Sequence, residues 1–151
     1  EWQIETVKSP YVSKARNALT ALFLRSKYDY LLFIDADVEF NPEAVICMLV
    51  TEGPAGLMLI HRKIFEFLMD SCPRLKIKHP FKKESDPYLY NFWDTTFDLD
   101  EGLWRGEDIS FCRLARDHGF KIYANIKSRT THHGSYGWPG KFEDALTKEK
   151  K

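Results

Sequence analysis

The segment Tyr28-Asp29-Tyr30-Leu31-Leu32-Phe33-Ile34-Asp35-Ala36-Asp37 decides how this chain is read. An apolar run from Tyr30 to Ile34 ends abruptly in two carboxylates one residue apart. Such an unbroken run predicts a strand buried on both faces, as in a parallel sheet covered by helices. In an extended chain residues i and i+2 point the same way, so Asp35 and Asp37 can converge on one object, and Ala36 lets that object approach closely. The carboxyl end of a central strand is where open α/β sheets bind ligands. A hard divalent cation that also takes phosphate oxygens suits the pair, because it neutralises both sets of negative charge. The plainer alternative is that Asp35 caps a turn and Asp37 is merely solvated.

The 151 residues make one domain of ordinary size with room for a real core. With 44% hydrophobic and 29% charged residues the chain is globular, neither disordered nor membrane-like. Lysine plus arginine equals aspartate plus glutamate, 22 against 22, so no global field draws it to nucleic acid. Aromatic residues reach 15%, which fits either a well-filled core or a surface that stacks on bases and sugar rings. No apolar run approaches a membrane span and no signal-peptide pattern opens the chain. Cys47, Cys72 and Cys112 are odd in number and lack metal-ligand spacing; Cys47 and Cys112 fall in helical patterns and pack as small hydrophobes. A reducing, cytoplasmic compartment is the expectation.

Upstream of the acidic stretch, Trp2 to Val7 alternates and reads as a short strand, broken by Pro10. Ser13 offers a cap for a helix to about Ser26, with Ala15, Ala18, Leu19, Leu22 and Phe23 as its apolar stripe. Arg16 and Asn17 lie off that stripe and read as solvated. Strand, helix and acidic strand together predict one unit with parallel strands.

Downstream, Asn41-Pro42-Glu43 starts a helix whose buried face is Ala44, Val45, Met48 and Leu49. A turn-rich link, in which Gly53 and Gly56 make turns or admit a ligand, leads to a short buried strand at Leu57 to Ile60. Residues 61–70 form a helix facing inward through Ile64, Phe65, Leu68 and Met69. Periodicity then disappears from Ser71 to Arg105, a loop long enough to be functional or mobile. Its lysines precede rings and acids between Tyr88 and Trp104, which suit sugar recognition or plug the core. Glu107 and Asp108 open a helix to His118 that Gly119 stops; ordinary capping explains acids there equally well. Phe120, Ile122, Ala124 and Ile126 alternate as a half-buried strand leading to Thr131-His132-His133-Gly134, where the histidines are either ligands for a borderline cation or plain loop. Residues 134–151, with Gly137, Pro139 and Gly140 around Trp138, read as a hinged lid or a frayed end.

The order of these pieces is more telling than any one of them. A helix with Ala15-Arg16-Asn17 precedes the Asp35-Ala36-Asp37 strand and the Asn41-Pro42-Glu43 helix. Then follow Gly56-Leu57-Met58-Leu59-Ile60-His61-Arg62, the segment Gly106 to Ala115 beginning Gly-Glu-Asp, Gly119-Phe120-Lys121-Ile122-Tyr123, and the late His132-His133-Gly134. Over residues 11–137 the chain resembles the GT-A nucleotide-sugar glycosyltransferases, most of all the family 2 branch. That resemblance implies a Rossmann-like, mixed but mostly parallel central sheet flanked by helices. It implies a metal-dependent, inverting transfer of sugar from a UDP- or GDP-linked donor to a glycan or glycoprotein hydroxyl, with Mn²⁺ or Mg²⁺ as cofactor. Asp35 would lie on the ribose side and Asp37 would ligate the metal with His132, His133 being the competing histidine. Arg16 would lie near the donor nucleotide, Asp108 would be the catalytic carboxylate with Glu107 beside it, and Trp93 and Trp104 would bind acceptor. The family's opening strand and a strand near Val50-Thr51 have no counterpart, which implies missing segments at both places. A nucleotidyltransferase or a non-catalytic carbohydrate-binding domain is the competing expectation.

Overall fold

The computed structural model describes residues 2–40, 56–78, 85–123, 129–141 and 143. The expected helix at Asn41-Pro42-Glu43 with its apolar face, the turn at Gly53, Cys47, Lys82, Lys83, Ala124, Ile126 and, in the tail, residues 142 and 144–151 lie outside them. Within the described residues the elements are helix α1 (Val12–Arg25), strands β1 (Tyr30–Ile34), β2 (Val38–Phe40) and β3 (Leu57–His61), helix α2 (Arg62–Ser71), hairpin strands β4 (Thr96–Asp98) and β5 (Leu103–Arg105), helix α3 (Glu107–Asp117), and strands β6 (Arg129–His133) and β7 (Gly137–Lys141).

The mostly parallel, helix-flanked sheet is not what forms. The strands fall into three small sheets, β1-β3, β2-β6-β7 and β4-β5, and the pairs β2-β6, β6-β7 and β4-β5 are antiparallel. At the two ends of the β1-β3 pair, Asp35 N–H donates to the Gly56 carbonyl and Arg62 N–H to that of Asp29. Partners therefore descend along β3 as they ascend along β1, the antiparallel sense. Residues 2–9 form no strand, and Trp2 and Ile4 are exposed. With no strand paired to it, alternation alone leaves that segment's backbone groups to water.

The chain separates into two compact units, residues 1–31 with 60–120, and residues 32–59 with 121–151. In the first, Phe65 of α2 is the aromatic hub, fully buried and in ring contact with Phe23, Phe92 and Phe111. Trp93, also fully buried, stacks on Phe111 at 4.2 Å. The stripe expected of α2 holds, with Phe65 and Leu68 buried and Ile64 and Met69 half-buried, because four apolar residues at helical spacing leave one way to face inward. The stripe expected of α1 does not. Arg16, Asn17, Thr20, Ala21, Phe23 and Leu24 are the buried residues, while Leu22 is 41% exposed. Tyr11, not Ser13, is the residue at its N-terminal cap, and no side chain caps there.

Polar residues displace apolar ones on α1 because each has a partner. Asn17 Oδ1 accepts from the Trp93 backbone N–H at 3.0 Å, while its Nδ2 donates to the Trp93 carbonyl at 3.1 Å and to Asn91 Oδ1 at 2.9 Å. Trp93 Nε1 donates to Thr20 Oγ1 at 3.1 Å. A buried amide satisfied on both sides costs little to desolvate, and it fixes the segment that it clasps. The end of α1 is closed by Arg62, whose guanidinium donates to the carbonyls of Phe23, Leu24, Ser26 and Tyr28. A cation at a helix C-terminus meets both the unpaired carbonyls and the helix dipole.

The segment expected as a loop from Ser71 to Arg105 is ordered in its described parts. A turn of 3₁₀ helix at Pro73–Leu75, a bridge from Lys76 to Tyr90, and the β4-β5 hairpin occupy it. Gly102 sits in the hairpin loop at φ 69, and its N–H donates to the Asp98 carbonyl at 2.8 Å. α3 runs as expected, with Glu107 and Asp108 in its first turn and Gly119 at φ 85 beyond its end. The alternation after it forms no strand over Phe120 to Tyr123.

In the second unit β6 is the central strand, flanked by β2 and β7. His132 and His133 therefore lie within a strand, and Gly137 to Lys141 is its paired neighbour, not a lid or frayed end. β1 has the expected limits but is not buried on both faces: Phe33 alone of its residues is buried, while Tyr30 and Ile34 are exposed. Among the described residues β1 has one strand partner, β3.

Candidate functional site

Asp35-Ala36-Asp37 does not continue β1 as an extended strand. The Val38 N–H donates to the Asp35 carbonyl at 3.1 Å, so the acids stand on a turn between β1 and β2, and the alternation that would have aimed both carboxylates alike does not apply. Asp35 is half-buried, and a Cβ added to Gly56 would lie 3.7 Å from its Oδ2 and 3.2 Å from a Val38 methyl. The bare glycine is what lets that backbone come so close.

Asp37 is held from the other side. Its carbonyl accepts from the His133 N–H at 2.7 Å, extending the β2-β6 ladder in which Val38 faces His132 and Glu39 faces Thr131. Its carboxylate Oδ2 lies 3.2 Å from His132 Nε2, with the two side chains 50% and 64% exposed. His133 turns to Glu39, Nε2 to Oε2 at 2.9 Å. Neighbouring residues of one strand point to opposite faces, which is why the doubled histidine splits into two separate pairs. Asp37 thus stands with His132, and Glu39, which has no marked sequence signal, stands with His133.

Imidazole nitrogen and carboxylate oxygen together suit a borderline-to-hard divalent ion such as Mn²⁺. Six ligands about 2.1 Å from a cation stand about 3.0 Å from their nearest neighbours, and the Asp37–His132 separation of 3.2 Å fits one such edge. Among the described residues there is no group of three or more histidine, cysteine, aspartate or glutamate side chains that could hold a metal. A cation here would therefore complete its shell with water and the oxygens of a bound phosphate, the usual manner of Mg²⁺.

The remaining sequence-marked residues belong to the first unit. Arg16, 4% exposed, donates from Nη1 to Glu107 Oε1, and its guanidinium lies 5.5 Å from the Trp93 ring centre. Half-buried Glu107 is thereby the partner that meets the buried Arg16 of α1. Asp108 Oδ1 accepts from the Ile109 N–H at 2.8 Å. Trp93 is wholly buried, as part of the core; Trp104 is 72% exposed and tilts against Phe97 at 5.2 Å.

Around Trp104 the acids of the hairpin are already engaged. Asp98 Oδ1 accepts from the Asp100 and Glu101 N–H groups, and Oδ2 accepts from Arg105 and Arg113 at 2.9 to 3.0 Å. The Glu101 backbone donor, then the Arg105 side chain, hold the Asp98 carboxyl below the ordinary carboxylate range, and the Asp98 bond in turn raises Arg105. The sequence carried the ingredients, an Asp three residues before Glu101 and four before Gly102, but no periodicity to announce a hairpin of such short strands.

Among the described residues no helix is long and apolar enough to cross a membrane. No family model matches the chain, and neither the curated proteins nor the solved structures contain a match to it.

Proposed function

We propose that the chain takes part in metal-assisted transfer of a sugar from a nucleoside-diphosphate sugar to an acceptor hydroxyl, with inversion. The observation that carries this is the Asp37–His132 pair: a turn acid and a strand histidine, far apart in sequence, brought within 3.2 Å and left open to solvent. The sequence resemblance supplies the reaction class; the support is the site, not the architecture.

Asp37 and His132 would hold Mn²⁺ or Mg²⁺, which when bound offsets the charge that develops on a departing diphosphate. The resemblance gives Asp35, on the same turn, the ribose side of the donor. An acceptor hydroxyl is a weak nucleophile until its proton is removed during attack; the resemblance gives that task to Asp108, in the first turn of α3. Glu107 has a different task, since its pairing with Arg16 anchors α3 to α1. The acceptor is a glycan or glycoprotein, met by Trp104 and not by the enclosed Trp93, and the compartment is the cytoplasm.

Calorimetric titration of UDP and GDP tests this. Binding with Mn²⁺ is expected to fall at least tenfold with EDTA, and again in Asp37→Ala and His132→Ala, a loss of about 1.4 kcal/mol or more. Nucleotide binding indifferent to both the metal and the two substitutions would remove the pair from the reaction. Indifference to the metal together with sugar binding would favour the non-catalytic carbohydrate-binding alternative.

A further inference from the structure

Next to the Asp37–His132 pair the sheet carries two large rings that its own fold leaves uncovered. In the β6-β7 ladder His132 faces Trp138, and directly opposed residues of an antiparallel pair share a face. Tyr136, two residues before Trp138, packs against it edge to face at 5.0 Å, so each ring restrains the other. Trp138 is nevertheless 66% exposed and Tyr136 64%.

The surroundings of the indole are bare in a particular direction. Gly140, two residues after Trp138, falls on the same face by strand alternation, and a Cβ built there meets nothing within 4 Å among the described residues. Its cross-strand partner is the short Thr130. Gly137 and His133 form the next opposed pair, and a Cβ on Gly137 would lie 3.5 Å from the His133 ring, which places those two on the other face. The face with His132 therefore offers, side by side, an imidazole paired to a carboxylate, an indole steadied by a phenol, and an open floor.

We propose that Trp138, steadied by Tyr136 and floored by Gly140, stacks on the base of the nucleoside diphosphate whose phosphates are taken with a cation at Asp37 and His132. The inference rests on the metal-and-diphosphate function proposed above and adds the base-binding element to it. A nucleobase suits the platform because it is flat and aromatic on both faces, and because the ribose links it covalently to the diphosphate beside which Trp138 stands. Stacking on an indole tolerates any base, so the platform adds affinity while leaving the choice between uracil and guanine to other groups.

The test is calorimetric titration of the whole chain with Mn²⁺ and three probes, inorganic pyrophosphate, UDP and UDP-glucose, on wild type, Trp138→Ala and Trp138→Phe. UDP is expected to bind wild type about ten to a hundred times more tightly than pyrophosphate. Trp138→Ala is expected to bring UDP down to the pyrophosphate level without changing pyrophosphate, and Trp138→Phe to keep most of the gain. Three results would overturn the stacking role alone. UDP affinity unchanged in Trp138→Ala would do so, as would an equal loss for pyrophosphate, which would make Trp138 a support of the sheet. So would a loss confined to UDP-glucose, which would put the sugar on the indole. Failure of every probe to bind with Mn²⁺ would overturn the metal-and-diphosphate function itself, and the stacking with it.

Discussion

In the first unit α1 draws polar and charged side chains inward, whereas the second unit leaves its Asp37–His132 pair in water. Arg16 is 4% exposed and is closed by Glu107; Asn17 and Thr20 are buried and spent on Trp93. Asp37 and His132 make a contact of comparable chemistry with half or more of each side chain exposed. The same residue types thus hold a core in one region and stand ready for a ligand in the other. An interior partner must be kept because nothing else can satisfy it, while a surface partner can be exchanged for a cation at small cost.

The largest effect expected is at Trp93. Replacing it by alanine removes the ring stacked on Phe111 and the indole donor to Thr20, and is expected to cost about 3–5 kcal/mol by denaturant titration. A loss below about 1 kcal/mol would mean that the Trp93 environment is not the core of the first unit. The second contrast is sharper. Arg16→Ala leaves Glu107 without its buried partner and is expected to cost about 3 kcal/mol. Asp37→Ala and His132→Ala, at an exposed pair, are expected to cost less than about 1 kcal/mol. Equal losses at the two pairs would erase the distinction between them.

What the sequence made legible follows from how much each element depends on apolar spacing. α2 was readable because Phe65 and Leu68 are both apolar and buried. α3 was readable at both ends, from the acids of its first turn and from Gly119 in the left-handed conformation. α1 was readable in extent but not in orientation. Its inward face is chosen by the bonds of Arg16, Asn17 and Thr20 to Glu107, Trp93 and Asn91, and no apolar periodicity encodes those. β1 and β3 were both readable as short strands, while their antiparallel pairing was not, since a short apolar run is equally at home in either sense. At the candidate site the pairing of Asp37 with His132 was anticipated from residue order. Glu39, Tyr136 and Trp138 were not, because only the β2-β6-β7 register brings them beside the histidines.

The smallest effect expected lies in the β4-β5 hairpin of the first unit. The Asp98 carboxyl is held low in the folded chain, so its contribution is fully present above the ordinary carboxylate value of about 3.9 and is lost as pH falls through the lower folded value. The amide resonances of Asp100 and Glu101, which donate to its Oδ1, report this directly. Between about pH 6 and about pH 2 their midpoint is expected below that of a free aspartate, and Asp98→Asn is expected to abolish the titration. A midpoint at or above the ordinary value would show that the Glu101 backbone donor and the Arg105 side chain do not hold Asp98 in solution.

One spectroscopic experiment bears most directly on the open pair in the second unit. The chain is labelled with ¹⁵N-histidine, loaded with Mn²⁺ and UDP, and read by electron spin-echo for coupling between the metal and an imidazole nitrogen. The expected result is coupling to a single imidazole, lost in His132→Ala and Asp37→Ala and retained in His133→Ala. Bound Mn²⁺ without nitrogen coupling, or coupling that follows His133 instead, would contradict the assignment of Asp37 and His132 as the pair that holds the cation.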